Sequence, residues 1–225
     1  MAPVQVRRLA DAAAFTGHLA SLGVDLPFDS EVVVGSGSPL AQPLEVRDGS
    51  AGTLLVGNRW TVLPMEGWDG TTDGRPTDLV YRRWARFGES GAKLVWGGEA
   101  VAVGPGGRAN PNQLCIGPNS PGDLAELRSV LVDAHVERFG SADDLLVGLQ
   151  LTHSGRWAQP EGEAAPRTAY RHPLLDGRVG ASGQSVLSDD ELDGLSDDFV
   201  EAAVVAHDAG FAFVDVKACH GYLVH

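Results

Sequence analysis

Four apolar runs, separated by three helix-patterned stretches, constrain this chain more than any other feature. NRWTVLPM (58–65), AKLVWGGEAVAV (92–103), LLVGLQLTHSG (145–155) and FAFVDVKACHG (211–221) are nearly continuous in hydrophobicity rather than alternating. That is the pattern of strands covered on both faces, as parallel strands are by their crossover helices. TDLVYRRWARFGESG repeats Val80, Trp84 and Phe87 at helical spacing and is ended by Gly88 or Gly91. PGDLAELRSVLVDAHVERFG has Pro121 suited to a first turn and Gly140 suited to a C-cap. SDDELDGLSDDFVEAAVVAHDAG opens with a capping box, Ser188 and Glu191, carries Leu192, Leu195, Phe199 and Ala202 along one stripe, and stops at Gly210. Strand and helix in alternation predict parallel βαβ units.

An open doubly wound sheet would carry a glycine-rich phosphate turn after its first strand. The turn here, PMEGWDGTTDGRP, does not match G-x-G-x-x-G. A (β/α)8 TIM barrel fits better, because polar residues collect at the C-terminal ends of all four strands: Glu66, Glu99, Gln150 with His153, and Lys217 with His220. Barrel enzymes do their chemistry at that end, but a full barrel needs eight units, and four strands use this chain. The expected fold class is therefore α/β, with residues 46–225 covering the first four βα units of a barrel. Residues 1–45 are expected to be an N-terminal helical extension and loop. In it, VRRLADAAAFTGHLASLGVDLP predicts an amphipathic helix with Leu9, Phe15, Leu19 and Leu22 near one face, closed by Gly23 and Pro27. VGSGSPLAQPLEVRDGSAG (34–52) predicts a linker or a lid.

Charge narrows the partners. With 30 acidic against 17 basic side chains the formal net charge is -13, which repels phosphate backbones and anionic lipid, so neither nucleic acid nor membrane is an expected partner. The N-terminal arginines have no uninterrupted apolar stretch behind them, and no stretch approaches the roughly 20 apolar residues that span a bilayer. The expected location is cytoplasmic. Cys115 and Cys219 are widely separated in apolar settings and are expected to be two buried free thiols.

Within QLTHSGR, the Gln150 amide both donates and accepts, which suits either the edge of a heterocycle or a neighbouring barrel strand. His153 reads as a bonded structural histidine. Lys217 ends a buried strand, where an unpaired ammonium is costly. It either pairs with Glu66 or Glu99 to hold the barrel mouth, or works with His220 and Tyr222, which offer a tunable donor or acceptor and a proton donor. Three other readings stand beside these. A metal-dependent hydrolase would use His153, His220, Glu66 and Glu99, but no HxH pair closes the first strand and Lys217 would repel the metal. A Schiff-base enzyme would use Lys217 as nucleophile. A half-barrel without catalysis would dock on a partner.

The motifs GNRWTVLPMEG, WGGEAVAVGPGGR, LQLTHSGR and FVDVKACHGYL, in this order, resemble those of the old yellow enzyme family over about residues 40–225. These are FMN-dependent NADH:flavin oxidoreductases and ene-reductases, with no metal. The resemblance implies FMN as cofactor, NADH or NADPH as reductant, and an activated C=C substrate reduced by hydride from the flavin N5. By position, Pro64, Met65 and Glu66 lie against the flavin, Ala100 meets the ring with its backbone, and Gln150 bonds the pyrimidine edge. Lys217 and His220 hold the substrate's electron-withdrawing group, Tyr222 is the proton donor, and Arg108 is structural.

Two positions depart from the family: Lys217, where histidine is commoner, and Glu66, where threonine, cysteine or alanine is usual. A fixed charge at Lys217 favours a carboxylate, phenolate or strongly polarised carbonyl. An ionised Glu66 disfavours reduced, anionic flavin unless it is protonated or paired with Lys217. Family members continue for four more βα units, which supply the FMN phosphate site. The chain is accordingly expected to be an N-terminal half truncated after strand four, binding FMN poorly and turning over little. Its unpaired edges are expected to invite a homo-oligomer or a partner.

Overall fold

The structure is a computed structural model that describes residues 4–47 and 52–225, so residues 48–51 of the predicted lid or linker lie outside it. The chain divides into two compact units, Met1–Pro39 and Leu40–His225.

In the first unit, a 3-10 turn at Val6–Arg8 precedes helix α1, Ala12–Leu22. One continuous helix from Val6 was the expectation. Asp11 interrupts it: its backbone is extended and its carboxylate accepts from Ala14 N, which makes it the N-cap of a fresh helix. Gly23, in the left-handed region, closes the helix as expected. The apolar stripe is not formed, since Leu22 is exposed and no residue of α1 is buried. Phe15 instead packs edge-on against Phe28, with ring centroids 4.9 Å apart.

The second unit begins with an unanticipated antiparallel hairpin, β1 (Leu44–Arg47) with β2 (Thr53–Val56). It then builds a parallel sheet from β3 (Thr61–Val62), β4 (Leu94–Val95), β5 (Ala100–Ala102), β6 (Leu146–Thr152) and β7 (Phe213–Val216). β4 and β5 are one barrel strand in two pieces. Val95 pairs with Val147 and Ala100 with Gln150, so both pieces run along one edge of β6 while β7 takes the other. The expected continuous strand is broken at Gly97 and Gly98, with φ of 143° and 45°. A Cβ on Gly97 would stand 2.8 Å from Gln150 N, too close for any other residue. The order β3, β4/β5, β6, β7 follows the chain, which is the layout of half a (β/α)8 barrel.

Three long helices cover one face: α2 (Asp78–Glu89), α3 (Ser120–Phe139) and, after the one-turn α4 (Asp176–Val179), α5 (Asp189–Asp208). The capping box of Ser188 with Glu191 and the left-handed Gly140 form as predicted. Val147, Leu149 and Leu151 of β6 pack outward against Val80 and Trp84 of α2, Leu127 and Leu131 of α3, and Ala202 and Ala206 of α5. α2 runs through Gly88 rather than ending there, because Gly88 is where it meets α3: a Cβ would fall 2.1 Å from the carbonyl oxygen of Leu131. Period two turns Gly148, Gln150 and Thr152 to the opposite, barrel-interior face. In the connection between β6 and α5, buried Asp176 accepts from Arg156 and Arg171, which hold its carboxyl far below the usual carboxylate range. Among the described residues, no helix is long and apolar enough to cross a membrane.

Candidate active site

β7 presents Phe213, Asp215 and Lys217 to the interior by alternation, while Val214 leans on the core. The Lys217 N–H still bonds Leu151 O, so the strand's ladder carries this side chain to the end of the sheet. The chain then turns through His220 (φ 61°) and Gly221 (φ 67°), both left-handed. The Trp157 indole donates to His220 O at 3.1 Å and fixes the turn. Tyr222 is thereby folded back toward the strand it follows.

The result is a cavity of about 490 Å³ lined by Leu63, Pro64, Glu66, Trp96, Gln150, Asp215, Lys217, Cys219, His220 and Tyr222. Its centre is Glu66, which follows β3. Lys217 Nζ donates to Glu66 Oε1 at 2.6 Å and Tyr222 OH donates to Glu66 Oε2 at 2.6 Å. Lys217 Nζ also stands 4.3 Å from the Tyr222 ring centroid. The Lys217 and Glu66 side chains keep only 10% and 15% of their surface exposed. The pair joins the first strand of the half-barrel to its last. Burial, then the bond to the Glu66 carboxylate, pushes the Tyr222 phenol well above its ordinary range, so Tyr222 keeps its proton.

Gln150 Nε2 donates to Asp215 Oδ2 at 2.6 Å. A carboxylate oxygen is the acceptor here, so the amide turns its NH2 to Asp215 and its carbonyl oxygen is left to accept from another donor. His220 sits at the exposed rim with Nδ1 2.9 Å from Cys219 Sγ.

Six of the residues singled out in the sequence therefore converge: Pro64, Glu66, Gln150, Lys217, His220 and Tyr222. Met65 and Ala100 are not in the lining. The Ala100 backbone N–H bonds Met65 O, its carbonyl accepts from Gln113, and its side chain is buried. Two strand-end residues also turn away. Glu99 is fully buried and accepts from Gly67 N and Arg83, whose other guanidinium nitrogen binds Asp69. Burial pushes the Glu99 carboxyl up while Arg83 pulls it down. His153 is buried, accepts from Gly155 N at 3.1 Å, and is pushed down to about 4 by burial and the Arg167 charge.

Of the two possible partners for Lys217, the structure thus selects Glu66. Arg108 is structural: it is buried and donates to the carbonyls of Thr72 and Pro111. Cys115 is buried as expected, but Cys219 is exposed, because the chain leaves the sheet before reaching it. Among the described residues, no three His, Cys, Asp or Glu side chains gather as a metal-ligand set. Asp215 was missed, although its place two residues before Lys217 in an apolar strand was a readable signal.

The chain is 26% identical over 195 residues to the NADPH dehydrogenase of Bacillus subtilis, matching 83% of this chain and 50% of that protein. It is 28% identical over 173 residues to the NADPH dehydrogenase of Listeria welshimeri, matching 76% of this chain and 47% of that one. The chain spans about half the length of the curated relatives it matches. The old yellow enzyme homologue of Zymomonas mobilis superposes with a TM-score of 0.62 at 22% identity, over 82% of this chain and 49% of its own. The half-barrel fold is thus that of the first part of such enzymes. The match to the NADH:flavin oxidoreductase / NADH oxidase family extends over residues 40–225, the whole of the second unit, and the chain belongs to that family.

Proposed function

We propose that this chain carries the substrate side of an FMN-dependent oxidoreductase that uses NADH or NADPH to reduce an activated C=C bond. The observation that carries the reading is the convergence of Gln150, Lys217, His220 and Tyr222 on one cavity at the C-terminal ends of parallel strands. The donor set suits one edge of a flavin ring. Leu63, Pro64 and Trp96 give apolar and aromatic wall, and the free carbonyl of Gln150 suits an imide N–H. The cavity offers nothing comparable to a phosphate, since Lys217 is its one lysine and is committed to Glu66.

FMN, when bound, would supply the hydride-transfer chemistry, with NADH or NADPH as the source of electrons. The protein's own work is to orient and to move a proton. Gln150 would bond the ring edge and the segment Pro64 to Glu66 would lie against it, with Met65 and Ala100 backing that segment through their backbone bond. Lys217 and His220 donate to the substrate carbonyl and stabilise the charge that grows on it. Tyr222 Oη holds the proton that goes to the substrate carbon; with no substrate bound that O–H is given to Glu66, and it turns from the carboxylate to the substrate.

The test is NADPH-dependent reduction of cyclohexenone by the purified chain with FMN added, compared with Tyr222→Phe. A general acid contributes about 100-fold or more, so the variant should lose at least tenfold in rate. Equal rates would remove Tyr222 from the reaction.

A second reading rests on a different observation: among the described residues, the outer edges of β3 and β7 have no strand partner. Such edges suit association with a second copy or with another chain. Sedimentation of the purified chain separates a monomer from an assembly.

A further inference from the structure

We propose that Glu66 sets which ligands the cavity accepts: its carboxylate occupies the anion-binding position that Lys217 and Tyr222 form, so the cavity takes uncharged carbonyl compounds and turns away carboxylates and phenolates. This deepens the proposed function, which it needs only for the statement that the ligand is a substrate.

The geometry is that of a bound anion. One Glu66 oxygen takes the Lys217 ammonium and the other takes the Tyr222 hydroxyl, both at 2.6 Å, as an incoming oxyanion would take them. One of the two Gln150 amide N–H donors is already given to Asp215, whose negative charge stands beside the other. Two carboxylates, Glu66 and Asp215, line the cavity against one ammonium, Lys217, so the formal balance is negative. Of the two courses open to Lys217, pairing or offering its charge to a ligand, the structure shows the pairing: Glu66, from beyond the first strand of the half-barrel, holds the ammonium.

An entering carboxylate has two courses, both unfavourable. It can displace Glu66, which leaves a largely buried carboxylate uncompensated. Or it can stay beside Glu66 and Asp215 as a third negative charge. An uncharged carbonyl meets neither difficulty. It needs one donor, and an ammonium has three protons, of which Lys217 gives Glu66 one. The exposed His220 ring adds a donor at the rim.

The experiment is calorimetric titration of the purified 225-residue chain with benzoate and with benzamide, a pair alike in shape and different in charge. It needs neither flavin nor turnover, so its failure and that of the flavin reading are distinguishable. Benzamide is expected to bind wild type at least tenfold tighter than benzoate. Glu66→Gln frees Lys217 and is expected to bind benzoate at least tenfold tighter than wild type does, and Glu66→Gln with Lys217→Met is expected to lose that gain. Equal affinity of wild type for the two ligands, or no gain of benzoate binding in Glu66→Gln, overturns the proposal; binding of neither ligand to any variant also counts against it. Should Glu66→Gln not fold, the wild-type ratio decides, and it must be unchanged or larger in Lys217→Met.

Discussion

Removing one member of the Glu66–Lys217 pair should cost stability, and removing both should restore part of it. In Lys217→Met, Glu66 keeps only the Tyr222 hydroxyl; in Glu66→Gln, Lys217 keeps only a neutral amide and the Tyr222 ring at 4.3 Å. Breaking a buried ion pair costs about 3–5 kcal/mol. The side chains retain 10% and 15% exposure and each survivor keeps at least one contact, so about 2–3 kcal/mol is the expected loss for either single variant. The double variant leaves no stranded charge, and the cycle should return a coupling of about 2 kcal/mol. Urea unfolding followed by tryptophan fluorescence reads this. With a slope of about 2 kcal/mol per molar, the midpoint should fall by roughly 1 M in each single variant and by less than the sum in the double. Single variants within about 0.5 kcal/mol of wild type, with no coupling, would mean the pair behaves as a solvent-screened surface contact. The account of the cavity would then lose its centre.

Other expectations follow from the same residues. Native protein should react with one equivalent of a thiol reagent, at exposed Cys219, and with a second only after denaturation, because burial protects Cys115 and pushes its thiol up to about 11. Two fast equivalents would contradict the burial. His153 is held down to about 4, against about 6.5 in the unfolded chain, so the unfolded state binds the proton first as pH falls. Stability should therefore be full above about pH 6.5 and decline toward pH 4 by about 3 kcal/mol from this group, and His153→Gln should flatten that decline. An unchanged pH dependence in that variant removes the attribution. Gly88→Ala drives a methyl into the Leu131 carbonyl and should destabilise by about 2–4 kcal/mol on thermal unfolding, whereas alanine at exposed Gly194 of α5 should be neutral or stabilising.

Helices were legible where their signals are local. Capping boxes, left-handed glycines and apolar stripes lie within a turn of the residues they govern, and α2, α3 and α5 came out within a residue or two at most ends. The parallel order of the strands was also legible, from the alternation and the continuous apolar runs. The site was legible as strand-end chemistry, and Gln150, Lys217, His220 and Tyr222 do meet. Less local features were hidden. Whether a strand-end side chain faces the cavity depends on how the strand breaks before it, and the break at Gly97–Gly98 sends Glu99 under Arg83 instead. His153 lies one step beyond the last strand residue, where a turn decides its direction. The hairpin of β1 and β2 has a polar, Gly- and Ser-rich connection that reads as loop, and its pairing is a tertiary outcome. Glu66 and Lys217 were both visible, and their pairing was one of the readings; the choice of Glu66 over Glu99 required the fold.

The central claim is that Gln150, turned by Asp215, offers its carbonyl to a flavin ring in this cavity, and that the chain's hold is on the ring rather than on the phosphate. Flavin fluorescence during titration with the purified chain tests it directly. The account predicts quenching by riboflavin and FMN with dissociation constants within about threefold of one another, and at least tenfold weaker binding of both in Gln150→Leu, which is about 1.4 kcal/mol or more. Unquenched flavin, affinity for FMN far above that for riboflavin, or a Gln150→Leu variant that binds as wild type does would contradict it.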